Sequence, residues 1–177
     1  MDSFMIGLLE KAGNWMKKRI AGFETTILIL FILSLILELL LSVNLRIIIT
    51  ALLLITSSVY YFLAFAGASA ENKSLEQFLN RLTGFGSSIM TIGILFKLNN
   101  WPGNGIALTG GLLVSAPCLL AFLYFRYIGN KPSLISGRTA LRLLVMTAFI
   151  LILYLVPEET LVQIGLINRI PGAEVPE

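Results

Sequence analysis

The chain has 177 residues, 56% of them hydrophobic and 13% charged, with a formal charge of +3 and a mean hydropathy of +0.87. That balance excludes an ordinary soluble domain, and several spans of about 20 residues each would leave no room for a separate catalytic domain outside the bilayer. The absence of histidine removes the commonest metal ligand and neutral-pH acid–base group, while the single cysteine, Cys118, excludes an intrachain disulfide and reads as a small packing residue.

The composition predicts an all-α polytopic membrane helix bundle of about five transmembrane helices plus interfacial amphipathic helices. Residues 1–22 open it as an amphipathic helix. Phe4, Met5, Leu8, Leu9, Trp15 and Met16 share one arc, and Glu10, Lys11, Asn14, Lys17 and Lys18 share the other. This segment is predicted to lie on the membrane surface and to be retained, because its basic residues follow the helix and the next apolar run is too long for a cleaved signal. The bundle itself is predicted over 23–157, with an outer-side tail over 158–177.

The first span runs from about Thr25 to Val43 and contains Glu38, a carboxylate well inside an apolar run. Such a group costs about 3 kcal/mol on insertion scales and ordinarily faces protein or water. Glu38 is therefore a candidate functional residue; alternatively it reaches the interface or pairs with nearby Arg46. The short link Asn44-Leu45-Arg46 forces an antiparallel second span, Ile47 to about Ala66, in which Thr56, Ser57 and Ser58 offer small polar surface for close contact.

A polar loop, Gly67 to Lys73, precedes Ser74-Leu75-Glu76-Gln77, which has capping-box spacing and starts a second interfacial helix. The third span, Gly84 to Leu98, is short, roughly 22 Å at helical rise. It turns through Asn99-Asn100-Trp101-Pro102-Gly103 into a fourth span, Gly105 to about Tyr127, with Gly110 and Gly111 allowing close approach and Pro117 predicting a kink. A basic loop, Gly129 to Arg142, leads to a fifth span, Leu143 to Val156. With five spans, one side collects ten of the 13 lysines and arginines, and the other collects Arg46, Lys97 and Arg169. The N-terminus is therefore expected in the cytoplasm and the C-terminus in the periplasm.

The run Gly93-x-x-Phe96-Lys97-x-x-Asn100-Trp101-Pro102-Gly103 resembles the N-terminal membrane hairpin of the GldL family, the inner-membrane gliding and type 9 secretion motor subunit of Bacteroidota. The hairpin falls over 84–127. The family's run looks like G-x-L-F-K-x-x-H-W-P-G, so Asn100 stands where histidine is usual. GldL-like hairpins also carry an acidic residue in the second helix that is implicated in proton-driven work. The corresponding position here falls near Ser115, and no acid occurs between Gly103 and Pro157. The resemblance implies a bacterial inner membrane, a shared hairpin module, and candidate functional or interaction residues Lys97, Asn100, Trp101, Pro102 and Gly103.

No GxSxG, GxxxxGK, HExxH, CxxC or GxGxxG motif occurs in a usable setting. No catalytic residue, cofactor or metal site is expected, and the scattered basic residues form no stripe for nucleic acid. The expected partners are the lipid bilayer and other membrane subunits or a second copy of the chain. Two functions remain open: a non-catalytic scaffold or accessory subunit of an envelope complex, and an ion- or proton-conducting component using Glu38 and Lys97 as carboxylate relay and electrostatic gate.

Overall fold

The computed structural model describes residues 3–41, 45–66, 74–124, 127, 137–163 and 167. These residues form six helices in order: α1 (Ser3–Leu41), α2 (Arg46–Leu63), α3 (Ser74–Leu98), α4 (Asn104–Leu123), α5 (Gly137–Leu155) and α6 (Glu158–Gln163). Among the described residues there is no strand. Segments within α1, α2, α4 and α5 are long and apolar enough to cross a membrane.

Helix α3 falls outside that set, for a reason visible in the packing. It lies against α2, α4 and α5, and almost every residue from Thr83 to Leu98 is buried or half-buried. A helix screened from lipid by its neighbours gains more from small and hydroxylated side chains, which let backbones approach, than from leucine. Ser57 and Ser88 accordingly meet across α2 and α3 with their hydroxyls 2.9 Å apart. Helix α3 runs beside α2 from end to end: Gly84 abuts the backbone of Ala64 past the end of α2, and Arg46, the first residue of α2, reaches the carbonyl of Leu98.

The hairpin is packed most closely at two glycines. A Cβ on Gly93 would stand 3.0 Å from the Leu108 nitrogen, and one on Gly111 would stand 2.9 Å from Met90 Cγ. Gly110 contributes less than the sequence suggests, because its Cβ would meet only Ile89 at 4.0 Å, an ordinary contact. Around this interface lies the core, which includes Met90, Leu95, Leu108, Cys118, Leu143 and Ile150. Helix α4 continues through Pro117.

Three expected boundaries differ. The amphipathic segment and the first span form one unbroken helix of 39 residues, about 58 Å long. No proline or polar turn interrupts residues 20–25, and Met16, Ile20 and Phe23 pack with Val59, Tyr60 and Leu63 of α2, so packing holds the junction straight. The second interfacial helix likewise merges with the short third span, extending α3 to 25 residues or about 37 Å. Helix α5 begins at Gly137 rather than Leu143, because Ala140 is buried beside Leu79, Ala121 and Phe122 and Arg142 has a partner inside the bundle.

The tail returns to the bundle. Leu161 and Ile167 enter the main core with 1% and 2% exposure, and the Ile167 N–H donates to the Leu161 carbonyl at 3.2 Å. The polar loop 67–73, the side chain of Ser74 in the capping box, residues 128–136 of the basic loop and the tail from 168 onward lie outside the described residues.

Candidate functional site

The candidate residues gather where α1 ends, α2 begins and α3 turns into α4. A helix leaves its last four carbonyls without intrahelical donors, and in α3 all four find partners. The Leu95 carbonyl accepts from the Asn99 backbone at 3.0 Å and from its side-chain amide at 2.9 Å. Phe96 accepts from the Trp101 N–H at 2.9 Å, Lys97 from the Asn100 N–H at 3.1 Å, and Leu98 from the Arg46 guanidinium at 2.7 Å.

The two bonds from Trp101 and Asn100, six-to-one and five-to-two, define a Schellman stop, and Asn100 occupies its left-handed position with φ of +54°. The apolar contact that accompanies such a stop is also present: the Phe96 and Trp101 rings meet edge to face, 5.3 Å between centroids. Pro102 cannot continue a helix, and Gly103, at φ of +84°, is the residue before α4. The motif shared with the GldL hairpin is therefore, in physical terms, a helix stop followed by a helix start. Asparagine and histidine are both among the residues enriched at positive φ, so the exchange at position 100 preserves what the turn requires.

Charges tie this corner to the other helices. Arg46 Nε donates to Glu38 Oε1 at 2.8 Å, with side-chain exposures of 11% and 16%. The same guanidinium thus joins α1 to α3 and places a cation at the negative end of α3. Thr50 and the Asn99 amide exchange hydrogen bonds at 3.1 and 3.2 Å. Lys97, only 7% exposed, donates to Glu158 Oε1 at 2.6 Å, so α6 supplies its counter-charge. Lys97 is therefore turned inward rather than extended to the surface, whereas Trp101 is 42% exposed.

Glu38 and Lys97 do not pair with each other. Each has its own partner, and neither lines the apolar groove between α1 and α5. Glu38 Oε2 is buried and has no hydrogen-bond partner among the described residues. Ser115, near which the resemblance puts the family's acid, is fully buried; its hydroxyl donates to the Leu112 carbonyl at 3.1 Å and lies 3.5 Å from Thr147 Oγ1. Among the described residues no cluster of histidine, cysteine or carboxylate side chains could hold a metal ion.

A second polar group escaped the sequence entirely. At the opposite end of the bundle Glu24 of α1 forms an ion pair with Arg142 of α5 and accepts a hydrogen bond from the Tyr60 hydroxyl at 3.1 Å, while the Arg142 guanidinium lies 4.9 Å from the Tyr60 ring centroid. The available signal was positional: Glu24 and Arg142 each stand at the entrance to an apolar run, and alternating spans bring those entrances to the same side. Glu158 offered even less, being one of two adjacent acids beyond the last span.

Fold and corner together define a multi-pass helical membrane protein organised around a capped hairpin. The sequence model of one family, the GldL N-terminal domain, matches residues 82–126, from the middle of α3 to just past α4. No curated protein and no solved structure matches the chain.

Proposed function

We propose that this protein is a non-catalytic scaffold or accessory subunit of an envelope complex, seated in the bacterial inner membrane with its N-terminus in the cytoplasm and its C-terminus in the periplasm. The GldL-like hairpin suggests a membrane component of a gliding or secretion motor. The single observation that carries the scaffold reading is the chemistry of that hairpin. Its shared residues close helix ends, and the second helix, where the resemblance would put a working carboxylate, has no acid and holds the buried Ser115.

The proton-relay alternative needs Glu38 and Lys97 to face one cavity, and their separate ion pairs weigh against it. The outward faces of α1 and α5 supply contact area for lipid or for another membrane helix, with Leu28, Ile29, Leu33, Leu144 and Ile152 exposed. The uneven distribution of lysine and arginine supports the orientation. The test is mild extraction from native membranes followed by identification of co-purifying proteins. A stable higher-order complex, with another membrane subunit or with itself, is expected; a lone monomer from native membranes would overturn the proposal.

A further inference from the structure

Two cavities of different character adjoin at the end of the bundle where Glu24 and Arg142 meet. Helices α1 and α5 both flank the inner helices and meet through side chains without close backbone approach, and a groove of about 540 Å³ opens between them. Its walls are apolar, with Phe23, Ile27, Leu53, Met146 and Phe149 among them, and Arg138 and Arg142 stand at its polar end beside Glu24 and Tyr60. The second cavity, about 190 Å³, is lined by Lys17, Asn80, Thr83, Arg138, Thr139 and Arg142 together with a few apolar groups. Arg138 and Arg142 line both, so the apolar groove and the basic pocket share these two arginines.

Among the described residues the pocket is lined by three cations, of which Arg142 is paired with Glu24, and by no carboxylate. It also opens on the first turn of α5, which holds no acidic residue and lies at the positive end of the helix dipole. Glu24 lies on the groove side and is already engaged by Arg142 and Tyr60. The groove has the volume of a small-molecule site, which runs about 300–1,000 Å³. Its occupant must therefore be apolar along most of its length and anionic at one end. An apolar transmembrane helix would fill the groove but bring no charge to Lys17 and Arg138.

We infer that the groove between α1 and α5 and the Lys17–Arg138–Arg142 pocket form one binding site for an anionic phospholipid, with an acyl chain in the groove and the phosphate in the pocket. Basic pockets between helices select anionic headgroups in this way, and arginine suits phosphate because its planar donors match the oxygens. Lys17 and Arg138 are exposed at the mouth, so they are accessible to a headgroup arriving from the leaflet. The site is independent of the scaffold proposal.

Native mass spectrometry of the full chain in detergent, with dioleoyl phosphatidylglycerol or dioleoyl phosphatidylcholine added in equal amounts, tests the inference. About tenfold greater retention of the glycerol lipid is expected. The double variant Lys17→Ala/Arg138→Ala should abolish that preference while its melting temperature without lipid stays unchanged. Val145→Trp, at an exposed position on the groove wall, should reduce retention of both lipids. Equal retention of the two lipids by the unaltered chain would overturn the inference, as would a double variant that still discriminates. If inorganic phosphate stabilises the chain as much as the glycerol lipid does, the pocket binds a free anion and the inference fails. Loss of self-association in Val145→Trp, with lipid retention intact, would likewise give the groove to a second copy and overturn it.

Discussion

Asn100 sits at a φ of +54°, a region that costs most L-residues about 1–2 kcal/mol and glycine nothing. If its purpose is conformational, Asn100→Gly and Asn100→His should leave the melting temperature in detergent close to that of the parent. Asn100→Val, β-branched and poorly suited to positive φ, should lower stability by about 1–2 kcal/mol. A Gly variant as damaged as the Val variant would mean that the side chain itself is needed. Lys97 poses a different question, since its amine is buried while Glu158 is 57% exposed on its side chain. Glu158→Ala should cost about 1 kcal/mol, a modest figure because solvent reaches the carboxylate, and Lys97→Met in the same chain should recover most of it.

Between elements, the α3–α4 hairpin depends on close approach at particular positions, which adjacent glycines do not share equally. Gly111→Val should cost about 1–3 kcal/mol by driving side-chain atoms into Met90. Gly110→Ala should be neutral or slightly stabilising, since alanine favours the helix and the space is open. Thermal unfolding of the two variants side by side checks this. The hairpin was legible in the sequence because glycine, proline and asparagine punctuate it between two apolar runs, and residues 99–103 carry the chemistry of a turn. The start of α5 was not legible. Arg138 and Arg142 look like loop residues until the acid that meets Arg142, far away on α1, is placed beside it. The unbroken course of α1 was hidden for a related reason, because its charged arc suggests a surface helix, while the contacts that hold it on α2 come from Met16, Ile20 and Phe23, and Leu8 and Trp15 of the apolar arc stay exposed. At the site, the Glu38–Arg46 pair was readable from a short link, whereas Lys97–Glu158 crosses 61 residues, a separation over which hydropathy carries no pairing information.

For the molecule as a whole, orientation is the property on which the proposed function most depends. Cys118 is fully buried, so a Cys118→Ser chain carrying Asn104→Cys offers one accessible thiol just after the turn. A membrane-impermeant maleimide added to intact cells with a permeable outer membrane should label it. Protection in intact cells, with labelling only after the inner membrane is opened, would reverse the proposed orientation. The Lys97–Glu158 bridge also bears on biosynthesis. Translation delivers the lysine 61 residues ahead of the glutamate, an interval of roughly 3–12 s at ordinary elongation rates. Throughout that delay the nascent hairpin has to keep an ammonium hydrated at the edge of the lipid, and the amine gains its counter-charge only when α6 arrives.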